Sequence, residues 1–222
     1  MPNRLHWITV KPILKDVLTI LMQNNLFDPF RLVGGTSFSL QIGHRKSDDI
    51  GLFSDHPYES IDFGAIDNFL RKTFKYVSDI ARGPVGMGVS YLVGPTEDDA
   101  IKLDLFYTDT FIQPMLQIGP YRLATIEEII AMKVDIVQRK ARKKDFWDLH
   151  ELLEDYSIPD MIALHKQRYP YSHDEKVIHE NLVDFERADE DFTPVCLLGK
   201  HWELIKLDFV QTLTQSNSRL KQ

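Results

Sequence analysis

The stretch LVGGTSFSLQIGHRKSDDIGLF, residues 32–53, decides how the rest of the chain is read. The apolar run FRLV, residues 30–33, reads as a short strand halted by Gly34 and Gly35. Paired glycines let the backbone turn sharply and approach a ligand with no Cβ in the way. Thr36 or Ser37 has the chemistry of a helix cap, so a helix is expected through FSLQIG. The first turn of such a helix presents unpaired N–H groups and partial positive charge, for which phosphate is the natural guest. The competing reading is an ordinary strand–turn–helix in which the glycines serve only tightness.

After the turn at 43–48, DIGLFS reads as a second strand. Side chains at i and i+2 of a strand share a face, with Cα atoms roughly 6.5–7 Å apart. Two carboxylates so placed can hold divalent metal, which grips a triphosphate and activates an attacking hydroxyl. Asp49 suits that role, but the partner position holds Gly51, and Asp48 points to the other face. The run AIKLDLFY sets Ile101, Leu103 and Leu105 against Lys102, Asp104 and Phe106, so Asp104 can meet Asp49 from a neighbouring strand. The alternative leaves both as solvent-facing strand acids. Asp55, just past the strand, could compensate for Gly51 only if the turn folded back.

Composition bounds the function. A chain of 222 residues with 43% hydrophobic content fits one large domain or two small ones with a packed core. No run approaches eighteen apolar residues, which excludes a membrane span, and the charged N-terminus does not read as a secretory signal. A single cysteine, Cys196, excludes an intrachain disulfide and points to a reducing cytoplasm. A net charge of −7 argues against wrapping nucleic acid over the whole surface. It leaves room for a local basic patch, and Arg139, Lys140, Arg142, Lys143 and Lys144 form one.

Organisation changes near residue 120. Apolar spacing predicts helices at 9–25 and about 62–75, and strands within 75–108 as KYVSDIA, VSYLVG and AIKLDLFY. Beyond Pro120 the spacing predicts helices at about 125–140, 144–156, 158–168, 174–188 and 201–217. The glycines of ARGPVGMGVSYLVG lie between strands and read as a hairpin turn, not a dinucleotide fingerprint. The histidines at 150, 165, 173, 179 and 201 lack ligand spacing, and one sulfur cannot complete a zinc site with them.

The run from Gly34 to Phe53 resembles the first motif of the AbiEii/AbiGii-type nucleotidyltransferase toxins, within the DNA polymerase β-like nucleotidyltransferase superfamily. That motif is a glycine pair, an apolar helix, then Arg-x-Ser-x-Asp-hydrophobic-Asp-hydrophobic-Phe. Gly34, Gly35, Arg45, Ser47, Asp49, Leu52 and Phe53 match it, and Gly51 replaces the second aspartate. Lys133 in IIAMKVDIVQRK, then Lys144, Asp145 and Asp148 in KKDFWDL, resemble the later motifs. The likeness covers roughly residues 30–155.

The resemblance implies an α+β fold: a nucleotidyltransferase domain over 1–120 with a small mixed sheet, then a helical domain over 121–222 closing the cleft. It implies transfer of a nucleotidyl group from an NTP to a hydroxyl, such as a tRNA or other RNA end, with Mg²⁺ or Mn²⁺. Asp49 and Asp104 are then expected to hold metal, and Gly34, Gly35, Thr36, Arg45, Ser47 and Lys144 to bind the nucleotide. Lys133 is expected to reach a phosphate as a mobile charge, with Asp145 or Asp148 completing the site. Thr125 and Glu128 are expected to form a capping box at the start of that lysine's helix. Local physics leaves other readings beside these: Asp145 as a helix cap paired with a nearby cation, and the basic cluster as a complement to its own helix dipole. The family implies a bacterial toxin with a separate antitoxin. With Gly51 in the motif, a catalytically degenerate nucleotide- or RNA-binding protein is the alternative, and an interaction protein with an empty cleft is a third.

Overall fold

In the computed structural model, which describes residues 4–79 and 86–219, the diglycine stretch stands at the centre of a mixed sheet. The chain divides into two compact units, Met1–Thr125 and Ile126–Gln222, and the fold is α+β.

In the first unit the strands are β1 (Arg31–Leu32), β2 (Asp49–Ser54), β3 (Tyr76–Val77), β4 (Gly88–Gly94), β5 (Ile101–Tyr107), β6 (Leu116–Ile118) and β7 (Tyr121–Leu123). Among the described residues they form one sheet in the order β3-β4-β5-β2-β1-β7-β6. β2 runs parallel to β5 and antiparallel to β1, which makes it the central strand next to the diglycine. Its alternation follows the sequence: Ile50, Leu52 and Ser54 are buried, while Asp49, Gly51 and Phe53 face the other way. β5 does the same with Ile101, Leu103, Leu105 and Tyr107 inward. A side-chain period of two permits no other assignment of faces.

Helix α1 (Pro12–Met22) starts on a proline at its first turn, where the missing N–H costs nothing, and buries Leu14, Val17, Leu18, Leu21 and Met22. Helix α3 (Phe63–Thr73) is capped by Asp62, whose carboxylate accepts from Ala65 N at 2.8 Å, and buries Ile66 and Leu70. These side chains join Ile50, Leu52, Tyr91, Val93, Leu103 and Leu105 in one apolar core. The apolar face of the sheet is thus covered, and the acid-bearing face is not part of that core.

The expected boundary at 120/121 falls in the turn of the β6–β7 hairpin, and the units divide at 125/126. Arg122 of β7 explains why the hairpin belongs with the sheet. Its guanidinium donates to the carbonyls of Met22, Phe27 and Phe30 at 3.0–3.1 Å. Burial lowers its pKa, and the Asp28 carboxylate 3.4 Å away works against that shift. Ile80 and Ala81 of the strand expected from Lys75, and most of the glycine-bearing turn after them, lie outside the described residues.

The second unit is helical: α4 (Ile126–Gln138), α5 (Lys143–His150), α6 (Ile158–Arg168), α7 (Glu175–Asn181), α8 (Glu186–Asp189) and α9 (Trp202–Arg219). Two expected helices are shorter. The one at 144–156 stops at His150, and the one at 174–188 breaks into α7 and α8. A reciprocal cap between Ser157 and Asp160 starts α6. Glu128 in the first turn of α4 meets Arg168 in an ion pair whose two side chains are wholly buried. Phe146, Phe185, Trp202 and Phe209 pack around α5 in edge-to-face and tilted pairs, with ring centroids 5.1–5.9 Å apart. No helix among the described residues is long and apolar enough to cross a membrane.

Candidate functional site

Helix α2 (Gly34–Ile42) begins two residues earlier than its expected cap. Gly34 sits at φ +66°, a left-handed conformation open to glycine without strain, so the chain turns there and the helix starts at once. Thr36 and Ser37 therefore lie inside the first turn, buried. The Thr36 hydroxyl donates to the carbonyl of Asp49, and the Ser47 hydroxyl lies 2.8 Å from Thr36 Oγ1. Since the Thr36 proton is committed to Asp49, Ser47 must be the donor in that pair. Both hydroxyl protons are used inside the protein. Thr36 and Ser47 thus position the start of β2 against the first turn of α2.

Arg45 is also drawn inward. It is 3% exposed, its Nη1 donates to the Lys46 carbonyl at 2.9 Å, and its guanidinium fits into the space left by Gly35. Any side chain at position 35 would have to displace that guanidinium. Asp55 does not fold back toward Asp49; its carboxylate accepts from Phe111 N at 3.1 Å.

The acid face is built by β2, β5 and β4. Register pairs Asp49 with Lys102, Gly51 with Asp104, and Asp104 with Ser90. Asp49 and Asp104 therefore share one face of adjacent strands with a two-residue offset, roughly 8 Å between Cα positions from strand spacing and rise. Phe53 and Phe106, one step further along, meet edge to face at 6.0 Å and confirm that register. Asp104 accepts from Ser90 Oγ at 2.5 Å and from Lys102 Nζ at 2.6 Å. Sequence reasoning left Ser90 and Lys102 unassigned. The signal for Lys102 was its place two residues before Asp104; Ser90 needed the strand pairing.

The later motif residues lie in the helical unit. Lys133 of α4 is 4% exposed, and its Nζ sits 2.6 Å from both Asp145 Oδ1 and Asp148 Oδ2 of α5. The lysine expected to reach a phosphate as a mobile charge is held here by two buried carboxylates. Burial works to raise the Asp145 pKa, but the Lys133 charge and hydrogen bond outweigh it and leave the carboxyl below its ordinary value. Asp145 also accepts from Arg142 N at 3.1 Å, so it caps α5 while it pairs with the lysine. Lys144 stands half-buried in the same first turn. The basic cluster is met by acids: Arg139 pairs with Asp135, Lys140 with Asp184 and Arg142 with Asp145. Lys143 is buried, with Nζ 3.3 Å from Thr193 Oγ1. Two dispersed histidines also meet, His165 and His173, with Nδ1 atoms 2.8 Å apart. Among the described residues no three His, Cys, Asp or Glu side chains converge as a metal cluster.

Comparison with known proteins gives the family and the fold. The family model described as "Nucleotidyl transferase AbiEii toxin, Type IV TA system" matches residues 16–219. An uncharacterised protein of Aquifex aeolicus is 26% identical over 189 residues, covering 80% of this chain and 84% of that protein. Among solved structures, a proposed nucleotidyltransferase of Helicobacter pylori superposes with a TM-score of 0.56 at 22% identity, covering 93% of this chain and 94% of that one. MenT4, a nucleotidyltransferase toxin of Mycobacterium tuberculosis, gives 0.53 at 19% identity, covering 89% and 80%. At these identities the structural likeness establishes the fold.

Proposed function

The chain belongs to the AbiEii nucleotidyltransferase toxin family, and from that premise we propose that it transfers a nucleotidyl group from an NTP to an acceptor hydroxyl on tRNA or another RNA. The observation that carries this reading is the acid face itself: Asp49 and Asp104 on one face of adjacent parallel strands, offset by two residues, with the first turn of α2 tied to Asp49 through Thr36. A separate antitoxin protein is the partner that membership supports.

In this reading the amides at the start of α2 receive the phosphates of the nucleotide, since a helix N-terminus carries partial positive charge that favours an anion. The Ser47–Thr36–Asp49 hydrogen-bond chain holds the strand end at a fixed distance from those amides. Asp49 and Asp104 offer donors from two strands that fit a single divalent cation, Mg²⁺ or Mn²⁺. They do not fit a pair of ions, because Gly51 supplies no carboxylate. Such an ion, when bound, polarises the phosphoryl oxygen and lowers the pKa of an attacking hydroxyl. Ser90 fixes the Asp104 carboxylate from the far side and keeps it oriented across from β2.

The test is transfer of label. Purified protein with each α-labelled NTP, Mg²⁺ or Mn²⁺ and total RNA is expected to label RNA, and Asp49→Asn or Asp104→Asn to abolish labelling. Absence of label from every nucleotide with the wild-type chain would overturn transfer. One observation favours a second reading: glycine at 51 leaves the strand one carboxylate short. A binding protein without turnover would retain NTP, label nothing, and gain labelling in Gly51→Asp.

A further inference from the structure

A lysine stands inside the acid face. Lys102 lies directly across from Asp49 in the β2–β5 register and two residues before Asp104 on the same side of β5. Its Nζ is 2.6 Å from Asp104 Oδ2, while Ser90 Oγ holds the other oxygen. An ammonium of the chain's own therefore already pairs with one of the two carboxylates that the transfer reading assigns to a cation. Its side chain is half exposed, against 20% for Asp104, so the stem has room to swing away without dragging the carboxylate.

Resting on the nucleotidyl-transfer reading of this face, we propose that Lys102 is a tethered counter-ion for the empty site and a triphosphate ligand for the loaded one. With the face empty it neutralises Asp104 and relieves the repulsion between two neighbouring acids. Arrival of a divalent cation releases it, and the freed ammonium turns to the polyphosphate.

Charge explains why this chain needs it. Two carboxylates and one ammonium leave the face at −1, and one divalent cation brings it to +1, attractive to a polyanion. Three carboxylates without a lysine would reach the same +1 only with two divalent cations. Lys102 thus supplies the positive charge that a second ion, lost with the carboxylate absent at Gly51, would have carried.

The full-length Lys102→Gln variant tests this in two separate titrations. Mn²⁺ binding without nucleotide is followed by the loss of the free-ion electron paramagnetic resonance signal. Removing the competing ammonium is expected to tighten Mn²⁺ about threefold, the size of an exposed ion pair. Binding of an NTP at saturating Mn²⁺, followed by calorimetry, is expected to weaken about tenfold or more, with Lys102→Arg recovering part of the loss. Opposite signs in the two titrations are the signature, since mere loss of structure would weaken both. Mn²⁺ binding that requires Asp49 yet ignores Lys102, or unchanged NTP affinity, overturns the proposal alone. Mn²⁺ binding indifferent to Asp49→Asn overturns it together with the transfer reading.

Discussion

A methyl group at position 35 would have to displace the Arg45 guanidinium. A Cβ there would stand 2.4 Å from Arg45 Nη2, and Arg45 is buried and bonded to the Lys46 carbonyl. Moving the guanidinium aside costs a buried charge its contacts, so Gly35→Ala is expected to lower unfolding stability by about 1–3 kcal/mol. Urea midpoints measure this, and in the double variant with Arg45→Ala the cost should fall short of the sum. An unchanged midpoint would mean that Arg45 has slack. Gly51 is the opposite case. A Cβ there meets Val33 Cγ2 at 3.5 Å, ordinary contact, so Gly51→Asp is sterically tolerated and electrostatics decides its effect. The new carboxylate would lie directly across from Asp104. In chelator the like-charge pair should destabilise by roughly 0.2–1 kcal/mol. With Mn²⁺ the sign should reverse, and the melting temperature of the variant should rise further than that of the wild type. A variant insensitive to Mn²⁺ would remove the ion from this face.

Between α4 and α5 the decisive contact is Lys133 with two acids. Lys133→Met leaves Asp145 and Asp148 buried without their ammonium, a loss expected to cost about 3–5 kcal/mol. The pH dependence follows from Asp145, whose folded pKa lies below the ordinary 3.8. Its ionised form stabilises the folded chain at pH values above that ordinary value. The contribution is lost as pH falls through the lower folded pKa. In the variant burial acts without the lysine against it and the carboxyl pKa rises, so taking up a proton on acidification relieves the buried charge and the variant recovers relative stability as pH falls. Denaturant unfolding from about pH 7 down to about pH 4 should show the gap between the two proteins narrowing. A gap constant with pH would make the lysine's contribution packing alone. The helix carrying Lys133 was legible, but its burial was read only from the structure, where it lies with Ile129, Ile130, Val134 and Val137. What covers it was not legible either: Asp145 and Asp148 come from another helix, and local periodicity carries no information about that pairing. The early start of α2 was hidden for a different reason. It depends on a left-handed glycine, whereas the visible signal was a pair of hydroxyl residues that the fold uses elsewhere.

At the scale of the molecule, the central elements were legible because their patterns are long. The alternations of β2 and β5 assign the acid face by themselves, and α1, α3, α4 and α6 fall where apolar spacing puts them. The β6–β7 hairpin was not legible, because three-residue strands around Gly119 and Pro120 are too short to show a period. Its position has a consequence for independent folding. Every buried residue of the main apolar cluster lies between Leu5 and Leu123, and the sheet closes on β7 before Thr125. Arg122 holds that last strand through three backbone carbonyls of the first thirty residues. A fragment of residues 1–125 therefore carries a complete core and all its strand pairings, the requirements for a self-folding unit. It is expected to unfold cooperatively in urea and to give dispersed amide resonances. Ending the fragment at residue 115 removes β6, β7 and Arg122, and should convert that transition into a broad, non-cooperative one. A 1–125 fragment that is already unfolded in buffer would show that the sheet depends on the helical unit for its stability.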